Sequence, residues 1–299
     1  MLKSLKISIK NTTKLWFYYS LNKVNFINRS QTAQLILMNQ YRQLKNTPNL
    51  PKFQDVGLHI CSQTDEDGFL LFIFSLIDTT NKKVVELCAG DGIECNAANL
   101  IINHGWNGLL FDGDLTQIKL GQEIYEFINT TKINPPKLVN AWITAENVNQ
   151  LITTNGFNGE IDLLSLDLDG VDYWIWKSID CINPRVVVIE YNTYWGAEKS
   201  VTVPYDPQFQ AQIFQHSQYH PGYYCGASLR AFGKLAKDRG YRLVGSNTKQ
   251  WNAFFIRNDI ATDLIPEVSI ESCLSSHQNS KSTTQNNWSF ISELPWENV

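Results

Sequence analysis

VVELCAGDGIECNAANLIINHGWNGLLFDGD (84–114) is the stretch that decides the fold. VVELCA (84–89) is a short apolar run with a β-branched start, which reads as a buried strand. IECNAANLIINHG (93–105) has helical spacing and stops at Gly105, a residue suited to a helix C-cap. GLLFDGD (108–114) returns to a strand pattern. A strand, a small-residue loop, a helix and a second strand open a parallel sheet covered by helices.

The same alternation continues outward. Helix is expected over 115–129, strand over 136–143, helix over 146–155, strand over 161–170, helix over 171–180 and strand over 184–192. A helix over 227–239 ends at Gly240, and strands 241–246 and 252–258 follow with only Asn247 to Gln250 between them. That gap fits a hairpin, so the last strand must run antiparallel. The expected fold is therefore α/β, a doubly wound, mostly parallel seven-stranded sheet with a C-terminal antiparallel hairpin. The chain divides into a basic extension (1–54), the α/β domain (55–260) and a polar tail (261–299).

The 299 residues suffice for one large domain with extensions, and 43% hydrophobic residues allow a sizeable core. A formal net charge of −4 speaks against a nucleic-acid binder. None of the six cysteines forms a CxxC pair or has a His at ligand spacing, so no structural zinc site is expected and the thiols read as reduced in a cytoplasmic protein. No apolar run is long enough for a transmembrane helix. Lysines and arginines precede the first acid, Asp55, without interruption. This arm reads as a helical extension packed on the domain or partly disordered, with weak contact to an anionic membrane surface as the alternative. The Ser-, Thr-, Asn- and Gln-rich stretch 271–287 reads as a solvated tail.

Chemistry concentrates at three predicted strand ends. After the first strand, Gly90 and Gly92 let backbone approach a ligand, and the next helix points its N–H groups there. Glu86 and Asp91 would repel a phosphate and suit a cofactor with cationic or hydroxyl-bearing parts. Asp112, twenty-two positions after Gly90, is placed to accept hydrogen bonds from ribose hydroxyls; Asp114 is its neighbour and also fits a helix N-cap. Asp167, Asp169 and Asp172 cluster at the end of the fourth strand, where open α/β sheets bind ligands. Carboxylates this close should have raised, coupled pKa values, which suits a general base or a cation site. Asp169 also fits a cap of the following helix. The long connection 191–226, rich in Tyr, Trp and His, reads as an acceptor-binding lid, with Glu190 or His220 assisting deprotonation.

VELCAGDG, LLFDGD, VNAWITAEN and IDLLSLDLDG together resemble a class I S-adenosylmethionine-dependent methyltransferase, and in detail the FkbM type. SQTDEDG (62–68) is similar to the segment preceding the first strand in those proteins. The resemblance implies S-adenosyl-L-methionine as cofactor. It implies that Gln63, Glu86, Ala89, Gly90, Asp91 and Gly92 surround the methionine part, that Asp112 takes the ribose and that Ala141 and Trp142 neighbour the adenine. Asp167 would face the reacting methyl, with Asp169, Glu190 and His220 as further catalytic candidates. It also implies O-methylation of a small molecule or glycan. Cys88, Asp65 and Asp169 depart from the family pattern, so a cofactor-binding module without turnover is the alternative. LLSLDLDGV further fits the opening of a haloacid-dehalogenase-type, metal-dependent phosphatase, although there the motif normally begins the fold.

Overall fold

The computed structural model describes residues 30–216, 219–274 and 291–299, and the side chains of 215–221 are not among those described. In chain order the regular elements begin with α1 (Gln31–Leu44), α2 (Glu66–Ile77), β1 (Lys83–Leu87), α3 (Ala98–His104), β2 (Asn107–Asp112), α4 (Leu115–Phe127) and β3 (Lys137–Asn140). Next come α5 (Val148–Thr154), β4 (Gly159–Leu166), α6 (Asp172–Ser178), β5 (Ile182–Glu190), β6 (Val201–Thr202), β7 (Gln212–His216) and β8 (Tyr219–Tyr224). The chain closes with α7 (Leu229–Asp238), β9 (Tyr241–Ser246), β10 (Asn252–Arg257), α8 (Ile270–Leu274) and β11 (Glu297–Asn298).

Seven strands form one sheet in the order β3-β2-β1-β4-β5-β10-β9. The first five are mutually parallel, and β10 runs antiparallel to both β5 and β9. The expected doubly wound sheet and its closing hairpin are both present. Alternation along each strand feeds two cores. Val84, Leu110, Leu163, Val186 and Phe254 face one side, while Val85, Leu109, Leu164, Val187 and Phe255 face the other. Covered on both faces, these strands read as continuous apolar runs.

Every residue of α2 is buried, and α1 packs on it through Met38 and Tyr41. A helix apolar on all sides has no amphipathic period, which is why spacing alone does not reveal it. The part of the basic extension that is described is therefore an integral layer, and the lysines before residue 30 lie outside the described residues. The tail also differs from expectation at its described ends. Ile265 and Cys273 are buried, and β11 pairs antiparallel with β6. The stretch 275–290 lies outside the described residues. Among the described residues, no helix is long and apolar enough to cross a membrane.

Candidate functional site

The carboxyl ends of β1, β2, β4 and β5 converge because the strands are parallel and in register, with Leu87 opposite both Phe111 and Leu166, and Leu166 opposite Ile189. The loop after β1 is shaped by positive φ angles at Cys88 (67°), Gly90 (58°) and Gly92 (72°). A Cβ added at Gly90 would meet nothing within 4 Å, so open space lies above this residue. At Gly92 the positive φ would strain any other residue, and a Cβ would stand 2.8 Å from the end of the Leu110 side chain. Ala89 N–H donates to Phe111 O (2.8 Å), and Tyr125 Oη donates to Gly92 O (2.7 Å).

Helix α3 starts at Ala98, five positions later than the expected start at residue 93. The reason is Glu86. Its Oε1 accepts from the Asn96 N–H (3.0 Å) and the Ser165 hydroxyl (3.1 Å), and its Oε2 accepts from the Ala97 N–H (2.7 Å). The N–H groups expected to point at a ligand are thus taken by a buried carboxylate beneath the loop. Burial pushes the Glu86 pKa up. Asp91 turns inward on its own loop, where Oδ1 accepts from the Ile93 N–H at 2.9 Å.

Asp112 is buried, with Oδ2 accepting from Gly90 N–H (2.8 Å) and Oδ1 from Asp114 N–H (2.7 Å). Asp114 takes the capping role anticipated for it and accepts from Thr116 N–H at 2.7 Å. Ala141 N–H donates to Asp112 O at 3.0 Å. The neighbouring Trp142 is 49% exposed, with its ring 3.2 Å from where a Gly113 Cβ would be.

Asp167, Asp169 and Glu190 come together, one oxygen of each lying within 4.8 Å of the others. A hydrogen bond between Asp167 and Glu190 lets that pair share a proton, and the three oxygens also have the spacing found around one cation, as the cluster of acids had suggested. Desolvation, with Asp169 and Asp172 adding negative charge, pushes the Asp167 pKa up to about 7. Glu190 is raised well above the usual carboxylate range by burial and by the charges of Asp167, Asp169 and Asp172. Asp172 fastens the turn before α6, accepting from Leu168 N–H (2.8 Å) and Gly170 N–H (3.1 Å). The N-terminus of α6 has no side-chain cap, so the capping role considered for Asp169 is not taken by it; Asp169 stands exposed at φ 51°. Cys88 lies between the two acidic regions; burial, Asp112 and Asp167 all push its thiol pKa up.

Other candidates arrive from further away. Gln63 is exposed on the turn before α2. That turn reaches the same sheet edge because Glu66 Oε1 accepts from Asn252 Nδ2 (3.0 Å), and Asn252 is the register partner of Glu190. Asp65, the residue that departs from the family pattern, accepts from Thr248 N–H and its hydroxyl and so joins α2 to the β9–β10 turn. His220 lies on β8, but its side chain is not among those described.

The connection 191–226 crosses the same edge. Gly226 N–H donates to Gly170 O (2.8 Å), Trp142 Nε1 donates to Pro207 O (2.7 Å) and Tyr205 Oη donates to Glu146 Oε2 (2.6 Å). Buried Cys225 sits close enough to Glu190 and Asp169 for their charge to raise its pKa. Tyr205 belongs to the aromatic lid expected from the sequence, whereas Pro207 and Cys225 were missed as site neighbours, since each acts across a long sequence separation and carries no motif.

No protein-family model matches this chain, and no curated protein matches it significantly. Solved structures do. The chain is similar to the N-terminal domain of EvdMO1 with SAH bound, at 13% identity over 74% of this chain and 93% of that one, with a TM-score of 0.40. It is similar to the CcbJ methyltransferase from Streptomyces caelestis at 13% identity, covering 62% and 92% of the two chains, with a TM-score of 0.39. A third is the glycopeptide N-methyltransferase MtfA complexed with S-adenosyl-L-homocysteine, at 11% identity over 58% and 82%, with a TM-score of 0.37.

Proposed function

We propose that this chain is an S-adenosylmethionine-dependent methyltransferase acting on a hydroxyl of a small molecule or glycan. The observation that carries this reading is a single juxtaposition. Open space above Gly90 is bordered on one side by Asp112 and on the other, past Cys88, by the Asp167–Asp169–Glu190 carboxylates. No lysine or arginine is joined to these four acids by an ion pair among the described residues. Such a cleft suits a ligand bearing positive charge and hydroxyls and disfavours a phosphate.

When bound, the cofactor supplies an electrophilic methyl on a sulfonium. Asp112 would hold the ribose hydroxyls with the lone pairs left after its two backbone bonds. Ala141 and Trp142 would border the adenine, and Gln63 with residues 89–92 would border the methionine part. Glu86 contributes by holding the loop from below. Asp167, poised near neutrality, would accept the acceptor's proton as the oxygen attacks, with Glu190 sharing that proton. The segment 191–226 would order the acceptor over these groups, and His220 remains a candidate within it. The six cysteines, none of them in a disulfide, favour a reducing, cytoplasmic setting.

Calorimetric titration with S-adenosylmethionine and S-adenosylhomocysteine tests the reading. Absence of binding by either at high micromolar concentration overturns it. Methyl transfer from labelled cofactor to a panel of hydroxylated acceptors then separates an enzyme from a binding module, since tight binding without product favours the module. Phosphate release above background with magnesium would favour the phosphatase instead.

A further inference from the structure

Residues 203–209 (VPYDPQF) form a strap across the edge at which the candidate site lies. Its first residue is pinned, since Val203 N–H donates to Gly226 O (3.1 Å) and Trp174 Nε1 donates to Val203 O (2.9 Å). Its last, Phe209, lies against the acid turn, with its ring 3.3 Å from where a Gly170 Cβ would be. Between these ends the segment makes its own turn, as Asp206 O accepts from Phe209 N–H (3.0 Å) and Asp206 Oδ1 from Gln208 N–H (2.8 Å). The tip of that turn reaches the loop between β3 and α5. Tyr205 Oη accepts from Ala145 N–H (2.9 Å) and donates to Glu146 Oε2 (2.6 Å), and Trp142 Nε1 donates to Pro207 O (2.7 Å). One short segment is thereby fastened both to the turn that carries Asp167 and Asp169 and to the loop that carries Ala141 and Trp142.

The two fastenings differ in depth. Val203, Gly170 and Gly226 are buried, whereas Trp142, Glu146, Asp206, Pro207 and Gln208 are exposed. Hydrogen bonds that face water over little buried apolar surface are the ones that open locally at low cost. Val203 is therefore the end that stays, and the turn at 205–208 is the end that swings.

We propose that Tyr205 is a positioning residue that couples the two sides of the cleft, so that a cofactor seated against Ala141 and Trp142 holds the strap down over the Asp167–Gly170 turn. The inference rests on the S-adenosylmethionine reading. An adenine against Trp142 restricts the 141–146 loop, and Tyr205 and Pro207, which are bonded to that loop, then open less often. The coupling is reciprocal, so a strap set free weakens cofactor binding in the same proportion. Tyr205 itself acts through the loop and touches neither cofactor nor acceptor.

The test is hydrogen–deuterium exchange of the full chain with and without saturating S-adenosylhomocysteine. The ligand should slow amide exchange over 205–209 roughly fivefold in the parent. Tyr205→Phe keeps the ring and removes the hydroxyl. It should abolish the slowing over 205–209, keep the slowing over 89–92, and weaken S-adenosylhomocysteine roughly fivefold by calorimetry. Glu146→Gln still offers an oxygen to the Tyr205 hydroxyl and should behave as the parent. Glu146 is exposed and Tyr205 half-buried, so both variants should keep the thermal midpoint. Slowing over 89–92 with none over 205–209 in the parent overturns the coupling and leaves the cofactor reading standing. Full slowing in Tyr205→Phe overturns the tie, as does a loss in Glu146→Gln equal to that in Tyr205→Phe, which would mark a general loosening of the loop. Absence of S-adenosylhomocysteine binding to the parent overturns the cofactor reading and this inference with it.

Discussion

Asp112 Oδ2 accepts the backbone N–H of Gly90 at 2.8 Å, so the acid that ends β2 also shapes the loop that follows β1. A ligand bound above Gly90 therefore meets a carboxylate whose orientation is already set. Asp112→Ala should weaken S-adenosylhomocysteine binding by roughly 1–3 kcal/mol, the scale of a lost hydrogen bond to a charged group. Calorimetry checks this, and unchanged affinity would remove Asp112 from the ribose assignment.

Glu86 is the corresponding support from beneath. Glu86→Gln keeps the shape but replaces one acceptor oxygen with an N–H₂ facing the donors of Asn96, Ala97 or Ser165. A buried donor set against donors should lower stability by about 1–3 kcal/mol, measured by denaturant unfolding. Stability equal to the parent would mean that the loop is held otherwise.

The Asp167 carboxyl titrates at about 7 in the folded chain against an ordinary value of 3.8. Because the folded state keeps its proton longer than the unfolded state, the group costs stability as pH rises from about 4 through 7. Asp167→Asn should thus raise the thermal midpoint over the parent at pH about 8, with the difference disappearing near pH 4. If Asp167 is the base, transfer by the parent should increase with pH through about 7 and the variant should lose that step.

Cys88 is a non-glycine residue at φ 67° in the first loop. Left-handed backbone costs a residue with a Cβ about 1–2 kcal/mol, part of which glycine returns as lost chain entropy. Cys88→Gly should leave stability equal or raise it by up to about 1 kcal/mol, while Cys88→Val should lower it. Opposite signs in denaturant melts would show that the thiol's contacts outweigh the strain.

Strand alternation made the sheet readable in the linear sequence, because continuous apolar runs such as VVVIE and LLSL can be buried only between two layers of helices. The short gap at Asn247 to Gln250 likewise required the hairpin, and acids at successive strand ends marked the edge where ligands bind. Tertiary structure alone decided what each acid does. Glu86 turned from a ligand-facing candidate into the anchor of the α3 start, and Asp172 fastened the turn before α6 while Asp169 capped nothing, because a carboxylate accepts from whichever N–H the fold brings within about 3 Å. Helix α2, the Glu66–Asn252 bond and the tethers of Tyr205 and Trp142 rest on contacts between segments distant in sequence. Sequence periodicity records which side of an element is apolar, and not which distant polar group will satisfy it.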